Sequence, residues 1–244
     1  MNEPDFYPTK IRRDFFDIAL KKIADDFGFI CDPRKSEAGS HGVVGFIEGQ
    51  NKVLKITNLV EATIFERLLK AQDKVESPLW PYVYSVVQID FEYDTPDKYE
   101  ECTLYAVIRE NVADLEDVDA EEGFEIDATV DCFPYPIDVN EKNLFKELIE
   151  ANKLPETHIR DGYWESVEKS FNQIREYANA IVYDYICANV GVNSKKEIVI
   201  RDLSAASIID DIKPNFHRIK IRYNPEYYIS DDDTVFDTYV YEPK

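Results

Sequence analysis

Apolar residues recur at three- and four-residue spacing from Ile11 to Phe29, through Phe15, Ile18, Ala19, Ile23 and Phe27. That spacing predicts an amphipathic helix, which Asp32-Pro33-Arg34-Lys35 ends. A glycine-bearing stretch, Gly39-Ser40-His41-Gly42-Val43-Val44-Gly45, then leads through Phe46-Ile47 and a turn at Glu48–Asn51 into Lys52-Val53-Leu54-Lys55-Ile56. This reads as a hairpin with a Gly-rich first turn. Glu61–Gln72 predicts a second helix with Ile64, Leu68 and Leu69 on one face, and Val83–Phe91 and Thr103–Ile108 predict two further strands.

The remainder is more mixed. Glu110–Asp131 is acidic and irregular, and Phe133-Pro134-Tyr135-Pro136 closes it. Helices are predicted over Asn143–Asn152 and Trp164–Tyr185. Val190–Val192 and Ile198–Ile200 flank Asn193-Ser194-Lys195-Lys196, a hairpin signal. Arg218–Tyr223 and Thr234–Tyr241 alternate weakly, as strands would. The pattern predicts an α+β fold: a helical extension over 1–34, a mainly antiparallel sheet lobe over 35–111, and a reduced, mainly helical lobe over 112–244 with an acidic insertion and a tail.

Composition narrows the function classes. Apolar residues make up 44% of 244, with 16 Tyr and 14 Phe, which is enough for a packed core and unlike a disordered chain. Lys and Arg total 28 against 49 Asp and Glu, a net charge of −21. Such a surface repels nucleic-acid phosphates and anionic membranes, so no direct nucleic-acid or membrane binding is expected. A solvated surface explains most of this charge, and an acidic face for a basic partner protein is the sharper reading. Cys31, Cys102, Cys132 and Cys187 form no CxxC pair, and free thiols in a reducing cytoplasm are expected. The polar N-terminus does not read as a signal peptide, and no apolar run approaches the ~20 residues of a membrane span.

Phosphoryl transfer from ATP needs backbone N–H groups over the phosphates, a cation on them, oxygen ligands for Mg²⁺ and a carboxylate facing the acceptor hydroxyl. Candidates for each occur in chain order. Gly39, Ser40, His41, Gly42 and Val44 form a turn where glycine lets backbone approach phosphate, although a plain hairpin turn needs the same glycines. Val53 and Lys55 lie one strand later, where a lone lysine is more often solvated. Glu66 is favoured over Glu61 as the partner of Lys55, since a first-turn carboxylate such as Glu61 also serves the helix dipole. Asp184 and Asn189 have D-x-x-x-x-N spacing, and a hairpin then leads to Asp202 in Arg201-Asp202-Leu203-Ser204. The hairpin would bring the oxygen ligands Asn189 and Asp202 to one edge.

This order of motifs over Lys35–Ser207 resembles the protein-kinase-like superfamily, and within it the small serine/threonine kinases of T7-type bacteriophages. The resemblance implies a bilobal fold, ATP and Mg²⁺ as cofactors, Lys55, Glu66 and Asp184 as catalytic residues, and Asn189 and Asp202 as metal ligands. It implies a hinge at Leu104–Asn111 as well, with Ile108, Glu110 and Asn111 and the backbone of Arg109–Asn111 at the adenine edge. It also implies a protein acceptor in a host cytoplasm, with RNA polymerase or a defence protein as the kind of target. Departures accompany it. Glu37 stands at the first glycine of the Gly-rich loop, Val182-Tyr183 replaces His-Arg, Ile186 follows Asp184 where Lys or His is common, Ser204 replaces the Gly of D-F-G, and no A-P-E motif follows. These leave two other readings: a pseudoenzyme whose acidic surface inhibits a basic host protein, and a small-molecule phosphotransferase. Retention of Lys55, Asp184, Asn189 and Asp202 together favours catalysis.

Overall fold

A computed structural model describes residues 13–30, 37–39, 42–95, 98–114, 163–182, 189–204 and 206–223. It is a mixed α+β fold with one six-stranded sheet, two small sheets and few helices among the described residues. The chain divides into two compact units, one from Met1–Leu59, Ser85–Ile108 and Asn215–Lys244, the other from Val60–Tyr84 and Arg109–Pro214. The strand that the sequence assigns to the C-terminal lobe at Arg218–Tyr223 thus belongs to the first unit, and the helix assigned to the N-terminal lobe at Glu61–Gln72 belongs to the second. The expected helix over 143–152 and strand over 234–241 lie outside the described residues.

In the first unit, helix α1 (Arg13–Asp26) covers one face of a sheet ordered β1-β2-β3-β5-β4-β11. Its strands are β1 (Glu37–Gly39), β2 (Gly42–Phe46), β3 (Lys52–Thr57), β4 (Val83–Thr95), β5 (Lys98–Glu110) and β11 (His217–Tyr223). The helix stops three residues short of the expected Phe29, because Gly28 takes φ 67°. Gly28 N donates to Asp25 O and Phe29 N to Ala24 O, a cap that only a left-handed residue closes. Phe15, Ala19 and Ile23 pack on Val43, Leu54, Ile56, Ile89, Leu104 and Ala106, all buried. Pleating therefore turns the even members of β3 and β5 toward α1. Strand β11 joins the edge parallel to β4, from His217 beside Val87 to Tyr223 beside Tyr93, and Arg222 pairs with Asp94 across that edge. The Cys102 thiol of β5 is free, and burial followed by the charge of Glu100 pushes its pKa up to about 11.

The second unit is built around helix α3 (Tyr163–Ala178) and helix α2 (Leu59–Ala71). Its strands are β6 (Ala113–Asp114), β7 (Ala180–Val182), β8 (Val190–Val192), β9 (Ile198–Ile200) and β10 (Ala206–Ile208). The apolar periodicity that predicts a helix to Tyr185 is broken at Asn179, where φ is 50°. Asn179 accepts a left-handed turn through its short side chain, and the β-branched Ile181 and Val182 then pair with β10. The buried Ser170 hydroxyl of α3 donates to Leu79 O at 2.7 Å and accepts from Ile200 N at 3.1 Å, fixing the helix to the β8–β9 hairpin. No described helix is long and apolar enough to cross a membrane.

Candidate functional site

Of the residues expected to hold phosphate, Val44, Val53 and Lys55 share one face of the first unit's sheet. Gly39 and Gly42 are register partners across β1 and β2, and Val44 faces Lys55 across β2 and β3. Ser40 and His41 lie outside the described residues. Val44, Val53 and Lys55 alternate with the α1-facing Val43, Leu54 and Ile56, so they share the opposite face. Lys55 is 4% exposed, which departs from the solvated lysine a lone strand position suggests. Gly42 has a packing reason for its identity: a Cβ there would sit 2.2 Å from Ile56 O. We expect Gly42→Ala to lower the stability of the full chain by about 1–3 kcal/mol in urea denaturation, since backbone must shift to admit it. Unchanged stability would show that the close approach is relieved at no cost.

Ile108, expected at the adenine edge, lies in the first unit's core. Its side chain packs with Leu104 and Ala106 in the core beneath α1, on the face away from Lys55. The alternation Leu104, Ala106, Ile108 against Tyr105, Val107, Arg109 already carried that signal.

In the second unit, β6 pairs with β8, and β8 and β9 form the predicted hairpin, with Val190 opposite Ile200 and Val192 opposite Ile198. Gly191 leaves room for β6, since a Cβ there would come within 2.4 Å of Ala113 O. The turn is closed by Asn193, whose Oδ1 accepts from Lys195 N at 3.0 Å and Glu197 N at 2.9 Å. At the open end, Asn189 O accepts from Arg201 N at 2.8 Å and more loosely from Asp202 N at 3.4 Å. Asn189 and Asp202 are thus laid side by side, both half-buried. Asp202 Oδ1 also accepts from Ser204 N at 2.9 Å, a local turn that orients the carboxylate. Arg201 points to Asp114, at 2.6 Å. Asp184 lies outside the described residues, and the helix expected to carry it ends at Ala178.

The two glutamates of α2 are both buried and differ in their partners. Glu66 is ion-paired with Lys70 one turn along α2. Glu61 is fully buried, and its Oε1 accepts from Leu203 N at 3.2 Å, directly after Asp202. A helix-dipole role does not require such burial.

The Arg109–Asn111 segment is also differently employed. Glu110 N donates to Tyr82 O at 2.7 Å, and Glu110 O accepts from Arg109 Nη1 at 2.9 Å. Its carboxylate bridges Tyr82 N and Ser194 N at 3.2 and 2.8 Å. These bonds tie the end of β5 to the hairpin turn and occupy backbone groups expected to face adenine. Arg109 is 6% exposed, with its Nε buried and unpartnered. Burial pushes the guanidinium pKa down, while the charges of Glu61, Asp202 and Glu110 pull it back up. This buried cation among the acidic groups was not singled out from sequence.

The donor set suits one class of metal. Mg²⁺ bound with nucleotide phosphates takes one or two protein oxygens and fills its remaining positions with phosphate and water. Asn189 and Asp202 are hard-oxygen residues at one hairpin end, so they fit a nucleotide-borne ion. Among the described residues no cluster of three His, Cys, Asp or Glu could hold a metal alone.

No protein-family model and no curated protein matches the chain. Among solved structures, the chain is similar to a co-crystal structure of WbdD with a kinase inhibitor, at 12% identity and TM-score 0.31, covering 70% of this chain and 32% of that one. It is similar also to a structure of the bifunctional kinase-methyltransferase WbdD, at 12% identity and TM-score 0.30, covering 71% and 31%. The chain spans about a third of the length of these structures.

Proposed function

We propose that the chain is an ATP- and Mg²⁺-dependent protein kinase of the protein-kinase-like superfamily. The observation that carries this reading is the β8–β9 hairpin. Its open end sets Asn189 against Asp202, and the residue after Asp202 is bound by a buried glutamate from helix α2. Phosphoryl transfer is mostly positioning and charge stabilisation, so such a constellation suffices for much of the chemistry.

In this reading Asn189 and Asp202 hold the metal through their side-chain oxygens. Bound Mg²⁺ supplies charge neutralisation between the phosphates. Glu61, not Glu66, is the helix carboxylate of the site, because it alone is buried against the segment following Asp202. Lys55 is the phosphate-holding cation and Asp184 orients the acceptor hydroxyl; both roles rest on the motif order. Asn111 is the remaining candidate of its trio for the adenine edge, since Glu110 is bonded elsewhere. The likeness of motif order to phage serine/threonine kinases supports Ser or Thr of a host protein as acceptor.

The test is transfer of label from γ-labelled ATP to a mixed protein acceptor with Mg²⁺ present. Label on protein, lost in Asp184→Ala, supports the reading. Label found only on small molecules would replace it with a small-molecule phosphotransferase.

The net charge of −21 supports a second reading, a scaffold whose acidic surface binds a basic host protein. That binding weakens steeply with salt and survives Asp202→Ala. Salt-insensitive binding contradicts it.

A further inference from the structure

Helix α2 grips the chain after Asp202 at a second place, beyond Glu61. The Arg67 guanidinium forks onto Asp210, at 2.7 Å through Nη2 and 3.3 Å through Nη1. The same two nitrogens donate to Ala178 O at 2.8 Å, the last residue of α3, and to Ile212 O at 2.9 Å. Asp210 is held from its other side as well, by Asn179 Nδ2 and by Ile212 N at 3.0 Å. Asn179 is the left-handed residue that turns α3 into β7, and its carbonyl accepts from Ile209 N at 2.9 Å. One carboxylate thus ties together α2, the α3–β7 turn and the far end of β10.

We propose that Arg67 is a positioning residue, and that its pair with Asp210 is a permanent latch ordering the segment from Leu203 to Ile212. In kinases this ordering is often supplied by a phosphate added to the segment and captured by arginine. A carboxylate in bidentate contact with a guanidinium offers the same fork geometry with a charge that is always present. The Arg67 and Asn179 bonds hold the Asp210 carboxyl down to about 2, so the latch is charged at neutral pH. Upstream, Glu61 holds Leu203 N, and β10 pairs with β7 from Ala206 opposite Val182 to Ile208 opposite Ala180. The segment is therefore fastened at both ends and along its middle, with no modification required. The effect on catalysis rests on the phosphoryl-transfer reading above, whereas the latch itself does not.

The test uses the full chain, treated with phosphatase, as Asp210→Asn, Arg67→Ala and the double variant. Amide hydrogen exchange over 206–212 should be unchanged by phosphatase in the unaltered chain. It should speed up about tenfold or more in each single variant. The double variant should match the singles, since two halves of one contact do not add. Transfer rate should fall about tenfold in the singles with KM for ATP within about twofold, and Asp210→Glu should recover part of it. Arg67→Lys should not, because an ammonium cannot fork. If Arg67→Ala fails to fold, Asp210→Asn carries the test, because Asp210 is partly exposed and the change keeps its shape. Unchanged exchange in Asp210→Asn would overturn the latch, as would independent effects in the double variant, or faster exchange after phosphatase alone. Faster exchange in the singles without any transfer by the unaltered chain would uphold the latch and sink the kinase reading.

Discussion

Asp202→Ala should lower the rate of phosphate transfer from ATP by about 10³-fold or more, with little change in melting temperature. The carboxylate is half-buried, it accepts from Ser204 N in a local turn, and Glu61 precedes it in offsetting the buried Arg109. The β8–β9 hairpin rests on other groups: Ser170 under Ile200, Asn193 in the turn, and Glu110 against Ser194. A loss of about 10³ corresponds to about 4 kcal/mol of transition-state stabilisation, which suits a charge facing a metal–phosphate centre. Asn189→Ala should fall less steeply, because an amide oxygen carries no net charge. If Asp202→Ala transferred phosphate at the unaltered rate, Asp202 would not be a metal ligand. If it melted far lower, its role would be structural.

Glu61→Ala should destabilise the chain by about 3–5 kcal/mol, and Glu66→Ala by clearly less. Both carboxylates sit on α2, yet only one is enclosed with the segment after Asp202. Removing Glu61 strands Leu203 N in the interior and takes away a negative charge that offsets the buried Arg109. Glu66 is buried too, but its ion-pair partner Lys70 is largely exposed and returns to water when the carboxylate is removed. Glu61→Gln keeps the acceptor oxygen and should recover part of the stability while leaving transfer impaired. Urea midpoints of the three variants decide between the two glutamates. Equal losses at 61 and 66 would contradict the assignment of Glu61 to the site.

That pair shows what could and could not be read from the chain. Helix periodicity identifies α2 and places both glutamates on it, but a first-turn position offers Glu61 a plausible surface role. What distinguishes it is a contact with Leu203, 142 residues away, and no local pattern encodes that. The β8–β9 hairpin is the opposite case. Asn193, the polar turn and the two β-branched runs are all local, so strands and turn follow from sequence, and the structure adds the register. The end of α3 was misread because Ala180-Ile181-Val182 continues the apolar pattern, and Asn179 in a left-handed turn is a choice made by its bonds to Asp210 and Ile209. Strand β11 was legible as a strand, while its parallel place beside β4 depends on pairing across more than a hundred residues. Arg109 was read only for its backbone, although the alternation along β5 sets its side chain opposite to that of Ile108.

The most direct test is equilibrium titration of ATP into the full chain, by calorimetry, with Mg²⁺ and again with the metal chelated. Asn189 and Asp202 as shared ligands of a nucleotide-borne ion predict saturable binding that weakens at least about tenfold without metal, and an Asp202→Asn variant that no longer responds to metal. Binding of equal strength with and without Mg²⁺, or no saturable binding in either, would contradict a metal–nucleotide site at this hairpin.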